Sequence, residues 1–171
     1  AYLKIGRARD RILLDNPLIR RHPLVMVRGK VNFAPNWYPS NGIGQELLLY
    51  DLSGDGPKET VLRSGQFSDY DIHWDAERIL YADRVNVFEM PLADTNAVRQ
   101  ITRAEKGVTH YDACYLPNGK IISACNACWQ TVPCVGAWDV GNLHLFDADG
   151  SNERRITFDQ DHDWNPCVME D

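Results

Sequence analysis

Tyr70–Ala82 reads YDIHWDAERILYA, and Tyr111–Ala124 reads YDACYLPNGKIISA. Both open on Tyr-Asp, pass through a polar break and close on a short apolar run. Asp75–Glu77 (DAE) and Pro117–Gly119 (PNG) fill the break, and both suit a tight connection between antiparallel strands. A third copy begins at Asp163 as DWNPCVMED, so that Asp71, Asp112 and Asn165 coincide.

A second set of segments follows the first. LLLYDLSGDG ends at Gly56, VNVFEMPLAD at Asp94 and NLHLFDADGS at Ser151, with Tyr50, Phe88 and Phe146 aligned. Each precedes another short strand-like segment, ETVL, RQIT or RRIT. The unit is therefore strand, turn, strand, loop, strand, Asp/Gly turn, strand, rich in Val, Ile, Leu, Tyr and Phe at the strand positions. No segment carries a helical apolar stripe.

Four short strands recurring about every forty residues predict an all-β fold, a partial β-propeller of four-stranded antiparallel blades. An ordinary β-sandwich with accidental similarity is the competing reading. The joint recurrence of turn and strand residues favours the blade. Residues 1–171 are read as part of one propeller domain. Its blades are expected at about 20–64 (lacking a first strand), 68–102 and 109–158, with the start of the next at 163–171. One blade cannot bury both its faces, so the rest of the propeller is expected outside this segment, in the same polypeptide or another chain. The opening AYLKIGRARD and closing NPCVMED read as interior to a longer pattern.

Near the N-terminus, Pro17 and Pro23 limit any helix, and a strand is expected at about Leu24–Val27. The loop NFAPNWYPSNGIGQ follows, with Trp37 and Tyr38 expected to pack on the propeller face or a partner.

The 171 residues are 44% hydrophobic and 25% charged, ordinary for a globular chain. A net charge of −6 argues against nucleic acid or an anionic membrane surface as a partner. No apolar run approaches the roughly 18 residues of a membrane span.

From Asp71 to Asp112 is 41 residues, but from Asp112 to Asn165 is 53. The excess falls at about Asn126–Val140, between the second and third strands of that unit. It follows Cys125 and holds Cys128, Trp129, Pro133, Cys134, Gly136 and Trp138, and loops on a rigid scaffold often carry function. Cys125 and Cys128 form a C-x-x-C pair, half of a structural zinc site, which Cys134, Cys167, His144 or His162 could complete. A redox dithiol would prefer a helix N-terminus. A disulfide from Cys125 or Cys128 to Cys134, and buried free thiols acting as small apolar groups, stay open. By alternation Ile121, Ser123 and Cys125 face the interior, and Cys128 falls in the turn. Cys134 sits between Pro133 and Gly136, where another group can come close, and is the expected functional cysteine.

Two stretches bear a family resemblance: ILLDNPLIRRHPLVMVRG (Ile12–Gly29) and the run from Val132 to Asp171. The most specific parts are Val132–Val135, Val140–Leu145 and Phe158–Pro166. They resemble the middle-domain propeller of the hydrazine synthase alpha-subunit family, of TolB or PD40 type. The resemblance implies a scaffold domain of a multihaem oxidoreductase that forms hydrazine from nitric oxide and ammonium. It implies other subunits of a larger complex, and an exported setting, periplasmic or anammoxosome-like. Haem c is attached through C-x-x-C-H, and here Trp129 stands where the His would be. Any haem c is therefore held mainly by other segments, with Cys134 and His162 as its contacts from this one.

His162, flanked by Asp161 and Asp163, lies in the loop entering the next unit and could meet a metal or a haem edge. Equally, Asp and His side chains cap such turns, and His73, His110 and Asp112 in related places favour capping. The alternative to the redox scaffold is a TolB-like protein-binding propeller with no redox chemistry. A stand-alone hydrolase would need a nucleophile–base pair, and no G-x-S-x-G motif is present.

Overall fold

The computed structural model describes residues 16–29, 44–54, 56–132 and 139–169. One short helix, α1 (Pro17–Arg21), opens the described chain. Asn16 caps it by accepting the amide of Leu18 at 2.9 Å, and Pro17 takes the first helical position, where no amide is needed. His22 is already extended ahead of Pro23.

Among the described residues eleven strands follow: β1 (Leu24–Gly29), β2 (Gly44–Asp51), β3 (Lys58–Phe67), β4 (Asp69–Ile72), β5 (Arg78–Ala82), β6 (Val87–Pro91), β7 (Arg99–Gln100), β8 (His110–Tyr115), β9 (Ile121–Cys125), β10 (Asn142–Phe146) and β11 (Arg154–Arg155). They form one three-stranded sheet, β1-β2-β3, and two four-stranded sheets, β4-β5-β6-β7 and β11-β10-β9-β8. Every pairing is antiparallel between sequence neighbours. The chain is thus all-β, with antiparallel four-stranded sheets. Trp37 and Tyr38 lie outside the described residues.

The two stretches that define the repeat are hairpins β4–β5 and β8–β9. In the first, the Ala76 amide bonds to the His73 carbonyl at 2.8 Å; in the second, the Gly119 amide bonds to Leu116 at 2.9 Å. Ala76 (φ 55°) and Gly119 (φ 79°) take the left-handed conformation that closes each turn.

Burial explains why β5 reads as a continuous apolar run. Ile79 and Tyr81 join a core with Leu47, Leu62, Phe67 and Met90, reaching into the three-stranded sheet. Leu80 and Ala82, pointing the other way, join Val87, Ile101, Tyr115, Ile121 and Phe146, reaching into the third sheet. The middle sheet is therefore covered on both faces, the situation in which strands lose their polar side.

Hydrogen bonds to backbone amides bind the second four-stranded sheet to the first. The His110 amide bonds to the Val85 carbonyl at 2.9 Å. Asp71 on β4 accepts the Tyr115 amide at 2.9 Å. Asp163–Met169, in no strand, meets β8 through the Asn165 amide, held by Asp112 at 3.1 Å. Among the described residues no helix is long and apolar enough to cross a membrane.

Candidate functional site

His110 opens β8, Cys125 closes β9 and Asn142 opens β10, and the three lie side by side in the ladder. The same end of the sheet therefore gathers the segment before β8, the β9–β10 insertion and the segment after β11. Their backbones are tied together. The Asn126 side chain accepts from the Thr109 amide at 2.7 Å and donates to the Gly107 carbonyl at 3.3 Å. The Asp163 amide bonds to the Gly141 carbonyl at 2.8 Å.

Below this rim, the ladder sets polar side chains on one face. His110 stands opposite Cys125, and His144 opposite Ser123. Ser123 and Cys125 are two residues apart on β9, so all four share that face. His110 is 2% exposed and Cys125 0%. The His110 ring packs edge-on against His144 and Phe146; its Nδ1 is 3.4 Å from Ser123 Oγ, and its Nε2 is 3.7 Å from Cys125 Sγ and 3.8 Å from Glu153 Oε1. His144 Nδ1 lies 2.8 Å from the same Glu153 oxygen and must donate to it, since a carboxylate only accepts.

The electrostatics follow from burial. Desolvation pushes His110 down to about 4, against the pull of Glu153, so its ring is neutral at physiological pH. Burial pushes the Cys125 thiol up to about 12. The hydrogen bond from His144 holds Glu153 below the usual carboxylate range. One neutral imidazole, one thiol and one carboxylate thus converge, with donor atoms within 4.8 Å of one another.

Cys134 lies outside the described residues, as do Pro133, Gly136 and Trp138. Cys125 is interior, as its alternation predicts, and both it and Cys128 are free thiols. Cys128 turns its thiol to the Val140 carbonyl at 3.0 Å, across the base of the insertion. Cys114 is buried and Cys167 exposed. His162 Nδ1 accepts the Gly141 amide at 2.9 Å, and burial lowers its affinity for a proton despite Asp161 and Asp163. His73 Nδ1 likewise lies 3.2 Å from the Asp75 amide. Both nitrogens of His110 face side chains, of Ser123, Cys125 and Glu153.

Glu153 is the residue that sequence reasoning missed. Its segment, NERRIT, reads only as the lead into a strand, and no spacing ties it to Cys125. The β10–β11 pairing brings it in.

No family model matches the chain, and no curated protein does. Among solved structures it is similar to "putative TolB from Agrobacterium tumefaciens", at 18% identity over 78% of this chain, with a TM-score of 0.41. The chain spans 64% of that structure's length.

Proposed function

We propose that this chain is an arc of a β-propeller scaffold that binds a protein partner through the loops at one end of its sheets. One observation carries the reading. Trp129, Phe158 and Trp164 are 66%, 72% and 44% exposed, on the insertion and on the segment after β11, which meet at that end. Aromatic side chains dominate protein interfaces because each removes a large apolar area from water with few torsions to freeze. Two of them have local support: the Trp129 amide bonds to the Asn126 carbonyl at 3.3 Å, and the Arg155 guanidinium lies 4.7 Å over the Phe158 ring.

The arc itself is supported by the middle sheet, buried on both faces, and by sequential sheets of like topology. The blade limits about 20–64, 68–102 and 109–158, with the next beginning at 163–171, belong to this proposal. The hydrazine synthase reading, with Cys134 and His162 touching a haem held elsewhere and Cys125–Cys128 as half a zinc site, rests on the sequence resemblance and the motif spacing. Its exported setting rests there too.

One preparation separates the readings. The intact protein, isolated from its native source, is expected to show no haem absorbance band and to carry a stoichiometric protein partner. Trp129→Ser with Phe158→Ser is expected to lose that partner without altering the melting curve. A haem band that persists through purification, with the partner insensitive to both substitutions, would overturn the binding proposal in favour of the redox complex.

A further inference from the structure

The cluster inside the second four-stranded sheet uses none of the exposed rim, and its chemistry is different. We infer that His110, Cys125 and Glu153 form a binding site for one divalent transition-metal ion of the zinc class, with His144 orienting the Glu153 carboxylate.

The first ground is distance. Ligand atoms around a tetrahedral zinc ion stand about 3.3–3.7 Å apart, given metal–ligand bonds of about 2.0–2.3 Å. Here His110 Nε2 is 3.7 Å from Cys125 Sγ and 3.8 Å from Glu153 Oε1. Those separations are close to that spacing, and all three donor atoms lie within 4.8 Å of one another.

The second ground is independent of that spacing. A ring as buried as His110 normally has close partners for its nitrogens. Its ring packs edge-on against His144 and Phe146, and among the described residues its nitrogens face Ser123, Cys125 and Glu153 at 3.4 Å, 3.7 Å and 3.8 Å. A metal ion would take up Nε2, the nitrogen that faces both the thiol and the carboxylate.

The donor set gives the ion class. One thiolate, one imidazole and one carboxylate suit zinc and its neighbours over calcium or magnesium, which take oxygen ligands. Glu153 fits its role, because His144 fixes one carboxylate oxygen at 2.8 Å and so sets the group's orientation. The Glu153 side chain is 41% exposed, which provides the route of entry. Three protein ligands leave a fourth position for water.

Binding has a defined proton balance. An imidazole and a carboxylate near neutral pH ordinarily ligate without losing a proton. The Cys125 thiol must lose its proton to ligate, and the ion supplies the driving force for that loss. Uptake therefore strengthens with rising pH and releases about one proton per ion from the thiol.

The test uses the full chain, stripped by a chelator and titrated separately with Zn2+ and Co2+. One equivalent is expected to bind, and the Co2+ form is expected to show a thiolate-to-metal charge-transfer band. Cys125→Ser is expected to abolish that band. Glu153→Gln, a change at a partly exposed side chain that leaves the fold intact, is expected to weaken uptake about tenfold or more. Cys128→Ser is expected to change neither. No uptake by the wild-type chain would overturn the inference. So would uptake indifferent to Cys125→Ser and Glu153→Gln, or a band lost with Cys128→Ser. Loss of the partner in the rim variants would leave it untouched, since the two sites share no ligand.

Discussion

Asp71, on the first strand of one four-stranded sheet, accepts the backbone amide of Tyr115, on the first strand of the next, at 2.9 Å. Asp112, aligned with Asp71 in the repeat, holds the Asn165 amide of the following segment at 3.1 Å. Each repeat thus clasps the backbone of its successor with the carboxylate near its start. Tyr115 is buried, so removing its acceptor strands an amide away from water. Asp71→Ala is expected to cost about 1–3 kcal/mol in urea unfolding. Asp71→Asn, which keeps an acceptor oxygen, is expected to cost less than half as much.

Asp112 pairs that clasp with an electrostatic liability. Burial, and then the nearby carboxylate of Asp69, push it up to about 7. Between roughly pH 4 and 7 the unfolded chain has released this proton while the folded chain retains it, so rising pH costs stability. Asp112→Asn keeps an acceptor for Asn165 and tolerates the left-handed φ of 48° at this position. The variant is expected to be more stable than wild type by about 2 kcal/mol near pH 8. The advantage is expected to vanish near pH 4, where both side chains are neutral. Denaturant titrations at the two pH values check it.

Gly150 shows why the Asp-x-Asp-Gly turn must end in glycine. Its φ is 85°, and a Cβ there would stand 2.0 Å from the Ile101 carbonyl oxygen of the neighbouring sheet. The clash is with backbone, so no rotamer relieves it. Gly150→Ala is expected to destabilise by about 2–4 kcal/mol, combining left-handed strain with forced separation of the sheets. Gly119→Ala, with no atom near its would-be Cβ, carries the strain alone and is expected to cost about 1 kcal/mol. Thermal unfolding of the two variants measures the difference.

Much of the architecture is visible in the chain because turn chemistry and strand residues recur together. The alignment of Tyr70–Ala82 with Tyr111–Ala124 marks hairpins β4–β5 and β8–β9, and Leu24–Val27 falls within β1. The extra residues between Asp112 and Asn165 fall in the β9–β10 connection, between Cys125 and Asn142, where the other four-stranded sheet has only the short link from Ala82 to Val87. The candidate metal site was half legible. Cys125 stood out by alternation and by its C-x-x-C partner, but spacing pointed to Cys128, whose thiol is taken by the Val140 carbonyl. His110 and Glu153 meet Cys125 only through strand register, a relationship between distant positions that local pattern does not encode. Cys134, the expected functional cysteine, lies outside the described residues.

The two four-stranded sheets follow one another in sequence, each holding the segment after it by an aspartate. Site-resolved amide hydrogen exchange at Tyr115 and Asn165 tests this most directly. In Asp71→Ala the Tyr115 amide is expected to exchange about tenfold faster or more, with Asn165 unchanged. In Asp112→Gly, where glycine accepts the left-handed backbone, Asn165 is expected to accelerate and Tyr115 to hold. Unaltered exchange at Tyr115 in Asp71→Ala, or equal acceleration at both amides in either variant, would contradict the account.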